Sequence, residues 1–289
     1  MFDAQLLSIL ACPTCRVTDR STLEPRHPAA LACTSCDMTF EVHPSGIPRL
    51  FASERIKEEL QCHAAHWDDL NKNDYDQTLE ANRTLLDTID SVSFQYTRGK
   101  VLEIGCGAGR FLDRLAKRGV TDFVGSDISM GMLRGAVAKG FKALVNAPGE
   151  TLPFQNGQFD SVFATYSVFK YIDRERGHSE VTRVLRPNGY FVFDLLSYWP
   201  GIVDHIWWNY LSKGKFPPTS VAGDYTLAHN MRNARLEVEY ATRAGFRLVE
   251  MKSVRYLPFL RGRVKQLGFW PGYLGAKLGC NTVFVFQKP

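Results

Sequence analysis

The sequence predicts a doubly wound α/β sheet preceded by a small ribbon folded around a metal ion. Three observations predict it. An apolar run, Val101 to Ile104, breaks into glycines at alternate positions, Gly105, Gly107 and Gly109, and an amphipathic segment with Phe111, Leu112 and Leu115 follows; this reads as strand, tight turn and helix. A second apolar run, Phe123 to Ser126, closes on Asp127, about 20 residues past that turn. Ahead of both, Cys12-Pro13-Thr14-Cys15 and Cys33-Thr34-Ser35-Cys36 make two like-spaced pairs separated by 17 residues.

At 289 residues the chain exceeds a typical single domain, which suggests one large domain and a small one. We divide it into a ribbon (1–53), a helical approach segment (54–99) and the sheet-bearing remainder (100–289). With 45% hydrophobic and 22% charged residues the composition is that of a globular protein. No apolar run approaches the roughly 20 residues of a membrane span. No basic, then apolar, leader opens the chain, so a cytoplasmic address is the default expectation.

In the ribbon, each cysteine pair suits a knuckle-like turn, and two knuckles supply the four thiolates that a tetrahedral Zn²⁺ requires. Leu31-Ala32 and Met38-Thr39-Phe40 flank the second knuckle as a hairpin. With Cys12, Cys15, Cys33 and Cys36 filling every ligand position, such a zinc would be structural. Two disulfides, or four thiols without metal, are the alternatives. Cys62, Cys106 and Cys280 share no spacing, which fits free thiols in a reducing compartment. Leu6 to Cys15, closed by Gly46-Ile47-Pro48-Arg49-Leu50, resembles the small zinc-binding activator subunit that partners tRNA, rRNA and release-factor methyltransferases. That resemblance implies a stabilising or docking module fused to its catalytic partner.

Ser53 followed by Glu54, Glu58 and Glu59 starts a helix with a serine cap and early acids. A second periodic segment runs from Leu79 to Ile89, with Asn71 to Asp74 as the turn between them. His63, His66 and Trp67 in the first helix either touch a ligand or pack.

Glycines belong at 105 and 107 because the turn needs backbone angles closed to other residues and because a ligand approaches with no Cβ in its way. Amides opening the next helix then face the ligand. Glu103, two residues before the first glycine, completes a pattern that resembles motif I of the class I S-adenosylmethionine-dependent methyltransferases. A dinucleotide fingerprint would place glycine where Arg110 stands. The resemblance implies a seven-stranded Rossmann-like sheet, six strands parallel and one antiparallel. It also implies that Glu103 meets the methionine end of the cofactor while Gly105, Gly107 and Gly109 pass beside it. The spacing of Asp127 suits an acid that accepts both ribose hydroxyls, with Ile128-Ser129 starting the next helix.

Phe141 to Val145 is the expected third strand. Glu150-Thr151-Leu152-Pro153-Phe154 with Phe159-Asp160 resembles the same family's Leu-Pro-Phe and Phe-Asp signature. Many members hold the adenine with an aspartate where this chain has Pro148, so the adenine contacts fall to Asn146, Ala147, Gly149 or Glu150. Asp160 to Thr165 is the fourth strand, and Tyr166 and Lys170 lie past its carboxyl end, where such sheets bind ligands. A helix from Glu180 and a turn at Asn188-Gly189 precede the fifth strand, Tyr190 to Leu195. Asn188 tolerates the left-handed angles that glycine more often supplies there.

Residues 197–230 form a long connection rich in aromatics, including Tyr198, Trp199, Trp207, Trp208 and Tyr210, which reads as a lid over a partly apolar pocket or as cover for the sheet edge. A helix from Arg232 to Ala244, a strand from Arg247 to Val254, a second insertion over 257–279 and a last strand, Thr282 to Phe286, complete the sheet. From Met251 onward there are seven basic residues and no acid, a candidate anionic-partner surface including Arg261, Arg263 and Lys265.

These features imply methyl transfer from S-adenosylmethionine to a small or lipid-like acceptor, on oxygen, nitrogen or carbon. An RNA base (rRNA or tRNA) is the second reading, and a non-catalytic regulatory module the third. Tyr166, Lys170 and His205 are catalytic candidates, with His178 and His229 the other titratable groups near the predicted site. Nothing in the sequence sets an oligomeric state.

Overall fold

The computed structural model describes residues 4–16, 22–27, 29–72, 83–196, 234–254, 269–271 and 281–289. Helix α1 (Ala4–Ile9) leads into a three-stranded antiparallel sheet of β1 (Leu23–His27), β2 (Ala30–Cys33) and β3 (Thr39–Glu41). The expected hairpin is β2 against β3, with Leu31 opposite Phe40 and Ala32 opposite Thr39. Helix α2 (Glu54–Lys72) opens where the serine cap predicts, and Ser53 Oγ accepts from the Ile56 amide at 3.2 Å. Helix α3 (Arg83–Gln95) runs beyond the expected end at Ile89, because Leu86, Ile89 and Val92 continue one buried face.

The large sheet is built from β4 (Val101–Ile104), β5 (Phe123–Asp127), β6 (Leu144–Asn146), β7 (Phe159–Ala164), β8 (Leu185–Leu196), β9 (Arg247–Val254), β10 (Phe269–Pro271) and β11 (Asn281–Gln287). Their order is β10-β9-β11-β8-β7-β4-β5-β6. Strands β4 to β8 pair in parallel, and β11 runs antiparallel to both β8 and β9. This is the seven-stranded Rossmann-like arrangement, with β10 added antiparallel at the β9 edge. That eighth strand comes from the expected insertion over 257–279. The helices between strands are α4 (Arg110–Ala116), α5 (Met130–Ala138), α6 (Arg174–Val184) and α7 (Ala234–Arg243).

Two boundaries differ from expectation. Strand β6 begins at Leu144 rather than Phe141, because the Phe141 amide still closes α5 on the Ala136 carbonyl, at 3.2 Å. Strand β8 already begins at Leu185, and Asn188 adopts the left-handed angle expected of it inside that strand, with φ of 65°.

Alternation along the strands sorts the core. Phe191, Phe193, Phe284 and Phe286 point to one face, and Val192, Val283 and Val285 to the other. His178 is fully buried in the phenylalanine face, edge-on to Phe169, with Nδ1 bonded to the Arg174 carbonyl at 2.7 Å. It packs the core instead of facing the strand ends, which removes it as a candidate base.

The ribbon joins the phenylalanine face; Leu6, Leu10, Leu31 and Phe40 share one apolar cluster with Phe154 and Phe159. The Ala11 amide donates to the Pro153 carbonyl and the Gln155 amide to the Ile9 carbonyl, both at 2.9 Å. Pro48 to Leu50 lies along the β6 edge: Leu50 N donates to Asn146 O at 2.8 Å and Asn146 N to Pro48 O at 2.9 Å. Arg16, beside the first knuckle, reaches Glu180 on α6 at 2.8 Å. Burial alone would raise the Glu180 carboxyl, but Arg183 and Arg16 hold it below the usual carboxylate range. Among the described residues, no helix is long and apolar enough to cross a membrane.

Candidate functional site

The four ribbon cysteines converge. Their Sγ atoms all lie within 4.8 Å of one another, with Cys12 to Cys36 at 3.7 Å and Cys15 to Cys33 at 4.0 Å. Tetrahedral zinc bonded to sulfur at about 2.3 Å needs sulfur edges of about 3.8 Å. These separations are those of unbonded thiols, against roughly 2 Å in a disulfide. The donor set therefore fits a four-sulfur metal centre with no position open to water.

The second site is a pocket past the carboxyl ends of β4, β5 and β7. Its walls bring together residues singled out in the sequence from separate segments: Gly105 and Gly107 from the glycine turn, Asp127 and Ile128 from the end of β5, Ala147, Gly149 and Glu150 after β6, and Tyr166 after β7. A side chain on Gly107 would project into open space, at φ of 52°, so this backbone faces the cavity bare. At Gly105 a Cβ would strike Val168 at 2.3 Å. Gly109 lies off the wall, left-handed at φ of 76°, where a Cβ would meet the Phe141 ring at 2.7 Å. It shapes the turn and closes the packing under it.

Asp127 is fixed by two backbone donors, Gly107 N and Ser129 N, both at 2.8 Å. Burial pushes its carboxyl up to about 6, against those amide bonds. Glu103 sits behind the wall, 1% exposed; Thr165 donates to Oε1 at 3.2 Å while Oε2 has no partner. Burial raises its carboxyl well above the ordinary range. Asn146 is turned away from the pocket, its amide donating to the carbonyls of Asp127 and Ile128 at 2.9 Å each. Of the groups expected to replace the missing aspartate at Pro148, only Ala147, Gly149 and Glu150 face the pocket.

Tyr166 and Ser167 are both left-handed, at φ of 63° and 61°. Two consecutive non-glycine residues in that region are strained. Asp194, fully buried on β8, holds them by accepting from both amides and from Ser167 Oγ, and Asn281 donates to the same carboxylate at 3.0 Å. The bend turns the Tyr166 ring toward the glycine turn, where its hydroxyl donates to buried Asp90 at 2.7 Å. Burial, followed by the nearby Asp90 charge, raises the phenol far above its usual value, which fits a hydroxyl that keeps its proton and donates to Asp90. Lys170 does not line the pocket; it stands over the Tyr171 ring at 4.7 Å, and burial lowers its ammonium.

Trp67, which the sequence offers as a ligand contact or a packing residue, lines the wall from α2. Other wall residues had no local signal: Leu60 arrives from α2, Met132 from α5, and Tyr171 and Ile172 from the turn after β7. Trp67 meets Tyr171 edge-on at 5.8 Å, and Asp68 caps α5 by accepting from Gly131 N at 2.8 Å, which seats α2 over the pocket. Arg110, immediately after the last glycine, was a readable position that motif reading passed over. The side chains of His63 and His66, the lid candidates with His205, Trp207, Trp208 and His229, and Arg261, Arg263 and Lys265 lie outside the described residues.

Comparison with known proteins agrees with this architecture. Residues 102–193 match the methyltransferase domain family. An uncharacterized protein of Methanocaldococcus jannaschii is 35% identical over 138 residues, 48% of this chain and 50% of that one. A ubiquinone/menaquinone biosynthesis C-methyltransferase of Geobacter sulfurreducens is 33% identical over 100 residues, 32% of this chain and 39% of the enzyme. The chain thus spans half or less of the length of these two relatives. A malonyl-[acyl-carrier protein] O-methyltransferase of Geobacter sulfurreducens is matched more fully, 31% identical over 211 residues, 68% of this chain and 76% of that enzyme. Among solved structures, a methyltransferase of Thermotoga maritima superposes with a TM-score of 0.57 at 18% identity, covering 77% of this chain and 99% of that one.

Proposed function

The chain belongs to the S-adenosylmethionine-dependent methyltransferases, and on that footing we propose that it methylates a small or lipid-like, partly apolar acceptor. The observation that carries the reading is the convergence of the glycine turn, Asp127, the segment after β6 and Tyr166 on one pocket. When bound, S-adenosylmethionine would supply the methyl group of its sulfonium to an acceptor nucleophile in line, the carbon–sulfur bond breaking to leave S-adenosylhomocysteine. Asp127 accepts from the ribose hydroxyls, and the bare backbone at Gly107 lets the cofactor approach closely. Ala147, Gly149 and Glu150 border the adenine. The unpartnered oxygen of Glu103 suits the ammonium of the amino-acid end. Leu60, Trp67, Met132, Tyr171 and Ile172 exclude water, and alignment in a dry site is the enzyme's main contribution. The relatives named for quinone and malonyl-carrier methylation support an acceptor of this class.

Within the proposal, residues 1–53 are a ribbon holding one structural Zn²⁺ on Cys12, Cys15, Cys33 and Cys36, with 54–99 as a helical cap. Residues 100–289 carry the methyltransferase unit, with a lid over 197–230. Free thiols at all described cysteines are consistent with a cytoplasmic setting.

Calorimetric titration with S-adenosylhomocysteine across pH tests the cofactor site. The Asp127 carboxyl is raised in the folded protein to about 6. Its contribution to stability is therefore present below its unfolded value and lost as pH rises through about 6. Ligand hydroxyls prefer the ionised form, so affinity should be flat above about pH 6.5 and fall by up to about tenfold per unit below about pH 6. Constant affinity from about pH 5 to about pH 8 would contradict the role given to Asp127.

A further inference from the structure

Leu60 and Trp67 stand at i and i+7 on α2, along one side of the helix, and both line the pocket. The start of this helix is tied to the ribbon: Thr14 Oγ1 donates to the Ala52 carbonyl at 3.2 Å, and Ser53 caps the first turn. Next to Trp67, Asp68 reaches out to α5. Its Oδ1 accepts from Gly131 N at 2.8 Å and from Ser129 Oγ. The Ser129 amide in turn donates to Asp127 at 2.8 Å. One serine thus joins the carboxylate on α2 to the carboxylate in the pocket wall. Burial is the main cause that raises the Asp127 carboxyl, and the charge of Asp68 adds to it.

Gly131 leaves room for this contact. It lies in the first turn of α5, with no left-handed angle that would call for glycine, so its missing side chain serves space alone. A Cβ there would stand 2.6 Å from Asp68 Oδ1 and 3.3 Å from Asp68 Cα. The second contact is with backbone, which cannot swing aside as a side chain does.

We infer that Asp68 is a positioning residue that latches α2 over the cofactor, so that S-adenosylhomocysteine leaves only when the Asp68 bonds to Ser129 and Gly131 open. This rests on the cofactor reading above. A ligand held by Asp127 lies under Leu60 and Trp67. Because the ribbon holds the other end of α2, Asp68 is the charged contact that must break for Trp67 to lift.

Surface plasmon resonance with S-adenosylhomocysteine over the immobilised full chain tests the latch, with association and dissociation read separately. Asp68→Ala should release the ligand at least about tenfold faster while association changes by less than about threefold, since lost contacts act mainly on dissociation. Gly131→Ala keeps Asp68, favours the α5 helix and still pushes the latch apart, so release should be at least about threefold faster. Asp68→Asn keeps an acceptor oxygen and should stay within about threefold of the wild type. A merely structural Asp68 would lower the melting point of the unliganded protein and leave the release rate of Gly131→Ala unchanged. Wild-type dissociation in either alanine variant, or a loss confined to association, overturns the latch. If Asp68→Ala does not fold, Gly131→Ala decides alone. Wild-type protein that does not bind S-adenosylhomocysteine would overturn the cofactor reading itself.

Discussion

Replacing Cys33 and Cys36 together by serine is expected to unfold the first 50 residues and to destabilise the sheet with them. The ribbon strands are short, at five, four and three residues, and too little apolar area is enclosed among them to fold alone. Metal binding at such a site is folding free energy, of order 10 kcal/mol or more in isolated zinc-finger peptides. Here the loss spreads further because Leu6, Leu10, Leu31 and Phe40 belong to the cluster that contains Phe154 and Phe159. Pro48 to Leu50 also pairs with Asn146, which in turn holds the carbonyls of Asp127 and Ile128. We expect roughly 5 kcal/mol or more of lost stability, a melting point lower by more than about 10 °C. Elemental analysis of the wild type should give about one zinc per chain. Metal-free protein with unchanged melting and protease resistance would contradict a structural centre.

Asp194→Ala is expected to cost about 3 kcal/mol, since buried amides left without an acceptor cost about 1–3 kcal/mol each. The Tyr166 and Ser167 amides would lose their acceptor while held at positive φ. Removing a buried carboxylate returns some desolvation energy, as the burial-raised carboxyl of Asp194 indicates, which keeps the cost below the sum of the lost bonds. Relaxation of this bend should swing Tyr166 away from Arg110 and weaken cofactor binding along with stability. A variant as stable as the wild type, by chemical denaturation, would mean that the bend is not held by Asp194.

Much of this was legible because it is local. Three alternate glycines after an apolar run, an acid closing the next strand, and two like-spaced cysteine pairs each depend on neighbours along the chain. The backbone at Gly107 and the bonds to Asp127 follow directly from them. What was not legible depends on packing between distant segments. Nothing in α2 states that Trp67 faces Tyr171, and nothing around Asp194 announces that it pins a turn at Tyr166. His178 shows the reverse error, a titratable residue near a strand end that the fold places among phenylalanines. Phe141 favoured an earlier strand by its apolar character, yet its backbone was already committed to closing α5.

The central claim is that the pocket binds S-adenosylmethionine with Asp127 on the ribose. Calorimetry with S-adenosylhomocysteine on wild type and Asp127→Ala tests it most directly. Losing charge-assisted hydrogen bonds costs about 1.5–3 kcal/mol each, so the variant should bind at least about tenfold more weakly. Circular dichroism should show the fold retained, because Gly107 and Ser129 amides can turn to water at the pocket wall. Equal affinity in the two proteins would contradict the account.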